Sequence, residues 1–91
     1  MTAPHGRPAN PGNRKYHCSS GQIEISVQTE EQWHALAVSL GRPELAYEGA
    51  WDAVRRSAPD GGVAHMLEEM FAEEPVEVWA RRLEAHGVPY R

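Results

Sequence analysis

The chain has 91 residues, of which 41% are hydrophobic and 24% charged, a composition that fits one ordinary globular domain and excludes a disordered or membrane-embedded chain. Its net charge of -4 is unevenly spread, because Arg7, Arg14 and Lys15 precede the first acid, Glu24, and the remainder is acidic. An acidic body repels a phosphate backbone and excludes nucleic acid as the expected partner; a lone cysteine, Cys18, excludes an internal disulfide framework.

Residues 1 to 14 hold three prolines and two glycines without apolar periodicity and read as an irregular arm. From Lys15 to Val27, a Ser-Ser-Gly turn separates two short runs, and Ile23, Ile25 and Val27 alternate with Glu24 and Ser26. Period-two alternation of β-branched residues predicts a half-buried hairpin, with Tyr16 and Cys18 on the covered face. Two strands alone are marginal in water, so helices must cover them.

Thr29 and Gln32 have the spacing of a capping box, and Trp33, Leu36, Ala37 and Leu40 form one apolar stripe ended by Gly41. Pro43 suits the start of a short turn over "RPELAYE", and "EGAWDAVRRS" a short helix with Trp51 and Val54 inward. "APDGG" breaks the chain, with Asp60 placed to cap the next helix. Val63, Met66, Leu67, Met70 and Phe71 make a second stripe. A third opens at Pro75, carries Val76, Trp79, Ala80 and Leu83, and ends at Gly87 before Pro89. The fold class is therefore α+β: an arm over 1–14, then a single domain over 15–91 with a β-hairpin and three main helices, short helical turns lying between the first and second.

Clusters that carry chemistry have structural readings beside them. His17 and Cys18 are adjacent and point to opposite faces of a strand, while His34, His65 and His86 lie on separate helices, so no metal site is expected. Cys18 lacks a neighbouring base and reads as a partly buried structural thiol. Glu30 and Glu31 fall in a first helical turn, where the helix dipole favours negative charge; Glu68–Glu69 and Glu73–Glu74 read as solvated carboxylates. Arg55–Arg56 and Arg81–Arg82 suit either an anion or the local acids. The absence of a leader-like apolar segment points to the cytoplasm and away from membranes.

The order of features goes further than any one of them. "GQIEISV", then Val27 to Trp33 with the pattern Val-x-Thr-Glu-x-x-Trp, Leu40 to Leu45 as "LGRPEL", an aromatic and basic stretch from Trp51 to Arg56, and Trp79 to Pro89 as Trp-x-x-x-Leu-x-x-x-Gly-Val-Pro resemble the small domain of family III CoA-transferases. That family includes formyl-CoA transferase, carnitine CoA-transferase and the α-methylacyl-CoA racemases; "APHG", residues 3 to 6, also fits. The resemblance implies a small α+β domain whose relatives carry, on a separate large Rossmann-like domain, the CoA site and an aspartate that attacks the acyl-CoA. Members interlock as ring-like dimers, with the active site between the large domain of one chain and the small domain of the other. No residue of this chain inherits the aspartate.

The resemblance carries over three residues. Gly6 and Gly12 match the glycine-rich loop that closes over the formyl-CoA transferase site, and Glu30 matches a glutamate near the racemase substrate. It implies coenzyme A or acyl-CoA as ligand, no covalently bound cofactor, and a large-domain chain as partner. Pro75 stands where the family has an acidic or polar cap. We expect an excised or free-standing small domain without turnover of its own, monomeric or a simple dimer through the open hairpin edge. Its rivals are one subunit of a split transferase or racemase, and an interaction module that reuses the fold.

Overall fold

The computed structural model describes residues 9–91; "APHG" and Gly6 lie outside them. Strands β1 (Asn13–His17) and β2 (Gln22–Ser26) form an antiparallel hairpin, followed by α1 (Glu30–Ser39), a 3-10 turn (Pro43–Leu45), α2 (Ala50–Arg55), α3 (Gly62–Phe71) and α4 (Val76–Ala85). The fold is α+β, a hairpin followed by helices. Tyr16 pairs with Ile23 across the hairpin, and Ile23, Ile25 and Val27 are buried with it, the face predicted from the alternation. Cys18 is half-buried and packs against that core.

β1 starts at Asn13, two residues earlier than the composition suggests. Asn10 forms a tight turn, its Oδ1 accepting the Gly12 N–H at 2.8 Å and its carbonyl the Asn13 N–H at 3.0 Å, so the strand can begin directly after a proline-rich stretch. The Gly12 carbonyl then accepts the Val27 N–H at 2.8 Å and prolongs the ladder.

The outer edge of β2 is covered by the end of the chain. After α4 the chain returns along β2, where Glu24 and Arg91 exchange backbone bonds of 3.0 and 2.8 Å and the Ser26 N–H donates to the Pro89 carbonyl at 3.0 Å. Beside β1, the His17 N–H donates to Glu68 Oε2 at 3.2 Å. On the β2 side, the edge that sequence reasoning left open for a second copy therefore already has backbone partners.

Helix α1 is capped as predicted at Thr29, whose Oγ1 accepts the Gln32 N–H at 3.1 Å. The Gln32 amide reaches one residue further back than a capping box requires, its Oε1 accepting the Gln28 N–H at 2.7 Å. Asp60 does not cap α3. The cap position falls on Gly61, which has no side chain to offer, and Asp60 is left exposed one residue too early. The α3 stripe is also rotated: Ala64, Leu67, Met70 and Phe71 are buried, and Val63 and Met66 only half so. Glu68 sits on the Ala64 face and pairs with Arg14 of β1 at 2.7 Å, which suits that rotation.

Two aromatic groups fill the interior. Tyr16 stacks on Phe71 at 5.0 Å, and Trp79 meets Phe71 edge-on at 5.1 Å, joining hairpin, α3 and α4. Trp33 and Trp51 stack at 6.1 Å beneath α1 and α2. Gly12 lies flat against the second pair; a Cβ there would stand 2.8 Å from the Trp51 ring.

The N-terminus of α4 explains how Pro75 can stand at a cap position. No side chain caps this helix; instead the hairpin tip does, the Ser20 carbonyl accepting the Val76 N–H at 2.9 Å while the Ser19 N–H donates to the Glu74 carbonyl at 2.9 Å. A tertiary contact replaces the local one.

Candidate functional site

The concave feature that includes a sequence-predicted site residue is a groove of about 270 Å³ between the first turns of α1 and the segment after the 3-10 turn, lined by Glu30, Glu31, Trp33, His34, Ala46 and Tyr47. Its floor is Trp33, only 2% exposed, whose indole N–H donates to the Leu45 carbonyl at 2.9 Å and pins the turn to the helix. Glu30 Oε2 accepts the Gly49 N–H at 3.3 Å and ties the groove to the start of α2. Tyr47 stands at the rim, 60% exposed.

Of the three residues carried over by resemblance, Glu30 lines this groove. Gly12 does not. It is buried, bonded to Asn10 and Val27, and seated on Trp51, a position that a close-packed backbone requires. Gly6 lies outside the described residues. His34, Ala46 and Tyr47 were missed in the sequence; an aromatic residue in an otherwise polar link between helices was the available signal. A second depression, about 220 Å³, is lined by Lys15, Gln22, Ile23, Glu24 and Arg91.

Several of the other ionisable groups are engaged with one another. Arg14 lies over the Tyr16 ring at 4.4 Å, donates to the Pro59 carbonyl at 3.0 Å and pairs with Glu68. Asp52 takes both Arg55 and Arg56, at 2.6 and 3.5 Å, and Arg82 reaches Glu74 at 3.7 Å while lying 5.0 Å from the Trp79 ring centroid. Among the described residues, no three His, Cys, Asp or Glu side chains come together as a metal site, and no helix is long and apolar enough to cross a membrane.

Cys18 is not set up as a nucleophile. Burial, then the nearby carboxylates of Glu68 and Glu77, push its thiol pKa up, and His17 turns its ring to Glu68 at 3.4 Å. Iodoacetamide should therefore alkylate Cys18 in the folded chain at pH 8 more slowly than in urea-unfolded chain; equal rates would remove the argument. Burial also pushes the Tyr16 phenol, which donates to the Pro11 carbonyl, well above its ordinary 10.0. Both groups hold their protons more tightly folded than unfolded, so their contribution to stability is complete below the ordinary values of 9.0 and 10.0 and declines as pH rises past them. Urea midpoints should be level from neutrality to about pH 8.5 and fall beyond it; a midpoint rising through that range would contradict the assignment.

A two-stranded hairpin covered by four helices, with one acidic groove, defines a small α+β domain in which the helices supply the candidate site. The match of residues 2–91 to the CoA-transferase family III model places this chain in that family. Two crystal structures of Rv3272 from Mycobacterium tuberculosis share the fold. One is 23% identical, covers 90% of this chain and 23% of its own, with a TM-score of 0.74. The other, described as a hypothetical protein, is 22% identical and covers 96% and 24%, with a TM-score of 0.71. The chain thus spans about a quarter of the solved structures it matches. No curated protein matches it.

Proposed function

We propose that this chain is a family III CoA-transferase small domain that has no turnover alone and supplies one wall of an acyl-CoA site completed by a second, large-domain chain. The groove of about 270 Å³ carries this reading. It falls below the range of about 300–1,000 Å³ in which small-molecule sites lie, so it suits part of a ligand and not a whole acyl-CoA. Glu30 and Glu31 repel the phosphates of coenzyme A, which leaves the acyl end as the part to face them. A cytoplasmic setting belongs to the same reading.

A second form of the proposal makes this chain one subunit of a split transferase or racemase. Mixing this protein with a large-domain chain of the family and assaying CoA transfer tests it. Activity in the mixture alone is the expected result. If the chains neither co-purify nor react, and acyl-CoA shifts no α1 amide resonance with or without the large-domain chain, the proposal fails and an interaction module becomes the better account.

A further inference from the structure

Aspartate and asparagine are the side chains short enough to close a five-membered ring with the backbone nitrogen of the next residue. Closure needs an N–H on that residue, a side chain not held elsewhere, and room for the nitrogen to swing onto Cγ. The sequence has four such residues, Asn10, Asn13, Asp52 and Asp60, and the structure separates the last from the others. Asn10 is followed by Pro11, which has no N–H. Asn13 lies in β1, and its amide donates to the Val27 carbonyl at 2.6 Å. Asp52 lies in α2 and is taken by Arg55 and Arg56, at 2.6 and 3.5 Å.

Asp60 differs on each count. It follows Pro59 in a turn closed by a single bond, from the Gly61 N–H to the Ala58 carbonyl at 3.1 Å, which the attack must break. It is exposed, does not cap α3, and among the described residues has no ion-pair partner. The residue after it is glycine, the one type without a Cβ to hinder the approach of its own nitrogen.

We infer that Asp60–Gly61 is a modification site, at which the chain isomerises to isoaspartate. The Gly61 nitrogen attacks Cγ of the protonated Asp60 carboxyl and forms a new C–N bond. The carboxyl hydroxyl leaves as water with the proton of the N–H, and a succinimide remains. Water then adds to one of the two ring carbonyls. Opening at Cγ restores aspartate; opening at the α-carbonyl breaks the original peptide bond and leaves the backbone running through Cβ and Cγ, with the former α-carboxyl as the side group. One water leaves and one returns, so mass is unchanged and no oxidant, cofactor or second chain enters.

The position gives the change a consequence. Arg14 grips the chain on both sides of it, donating to the Pro59 carbonyl at 3.0 Å and pairing with Glu68 of α3 at 2.7 Å. A methylene added between those grips displaces the start of α3, where the Gly61 carbonyl accepts the His65 N–H at 3.0 Å.

The test incubates the whole chain for weeks in mildly acidic buffer at body temperature, then offers it to an isoaspartyl methyltransferase with labelled S-adenosylmethionine. Label should be taken up, and in an unlabelled sample the tryptic peptide Ser57–Arg81 should split into two species of equal mass, one of them resistant to an endoprotease that cuts before aspartate. Gly61→Ala should slow this severalfold; Gly61 has φ -87°, which suits any residue, and the new Cβ would stand 3.4 Å from that of Ala58. Asp60→Glu, which keeps the charge but must close a six-membered ring, should abolish it. The separated isoaspartyl form should unfold at a lower urea concentration than the parent. An unsplit Ser57–Arg81 peptide, equal isomerisation at Asp52, or undiminished label in Asp60→Glu would overturn the site, and an unchanged urea midpoint of the isoaspartyl form would overturn its effect on α3.

Discussion

Trp79→Ala should leave little folded protein at physiological temperature. Trp79 is 2% exposed, meets Phe71 edge-on at 5.1 Å, and its indole N–H donates to the Phe71 carbonyl at 2.8 Å. Removing a buried tryptophan costs about 3–5 kcal/mol, the lost transfer energy plus the cavity left behind. A chain of this length has a total stability of about 5–15 kcal/mol, so the loss takes a large share of it. Trp79→Phe separates the two contributions: it keeps most of the ring packing but leaves the buried Phe71 carbonyl without its donor, which costs about 1–3 kcal/mol. Urea unfolding followed by circular dichroism reads both. A Trp79→Ala midpoint close to that of the parent would mean that the Tyr16–Phe71–Trp79 group is not what joins the hairpin to α3 and α4.

The members of that group were legible in the sequence because each lies on a periodic stripe, but their arrangement was not. Period two placed Tyr16 inward on a strand and period 3.6 placed Phe71 and Trp79 inward on helices. Nothing in either period says that one ring stacks and another meets it edge-on. The rotation of α3 was hidden for a related reason: a stripe of five apolar residues is wide, and packing against the hairpin and the other helices, which no local period encodes, decides which part of it faces in. Asp60 failed as a cap because glycine at Gly61 took the cap position, a one-residue offset that local pattern does not resolve.

The candidate site was less legible than the fold. Glu30 was found by its place in the Val27 to Trp33 pattern, whereas His34 and Tyr47 reach the same groove only because the Trp33 indole bonds to the Leu45 carbonyl and brings the turn back to α1. A contact across 12 residues, made by one side chain to one carbonyl, leaves no periodic trace. Gly12 shows the opposite limit. A glycine directly after a proline reads equally well as a hinge or as a close contact, and the Trp51 ring against Gly12 favours the contact.

Gly21→Ala should be the most costly change that adds only one methyl group. Gly21 has φ +86°, in the left-handed region, where an L-residue costs roughly 1–2 kcal/mol. Its new Cβ would also stand 2.8 Å from Val76 Cγ1, closer than carbon atoms pack. The two costs have different remedies. The tip cannot simply move away, because Ser20 and Ser19 hold it to the start of α4 through the bonds to Val76 and Glu74, and the first of these caps the helix. Shifting the tip would leave the Val76 N–H without its acceptor. We expect a combined loss of about 2–4 kcal/mol. Trimming the neighbour with Val76→Ala makes room for the methyl group without relieving the backbone, so the double variant should recover the steric part and keep the conformational part, a coupling of about 1 kcal/mol or more. Urea midpoints of the two single variants and the double variant complete the cycle. Strictly additive losses would mean that hairpin tip and α4 do not press on one another, and that something other than Ser20 stabilises a helix that begins on proline.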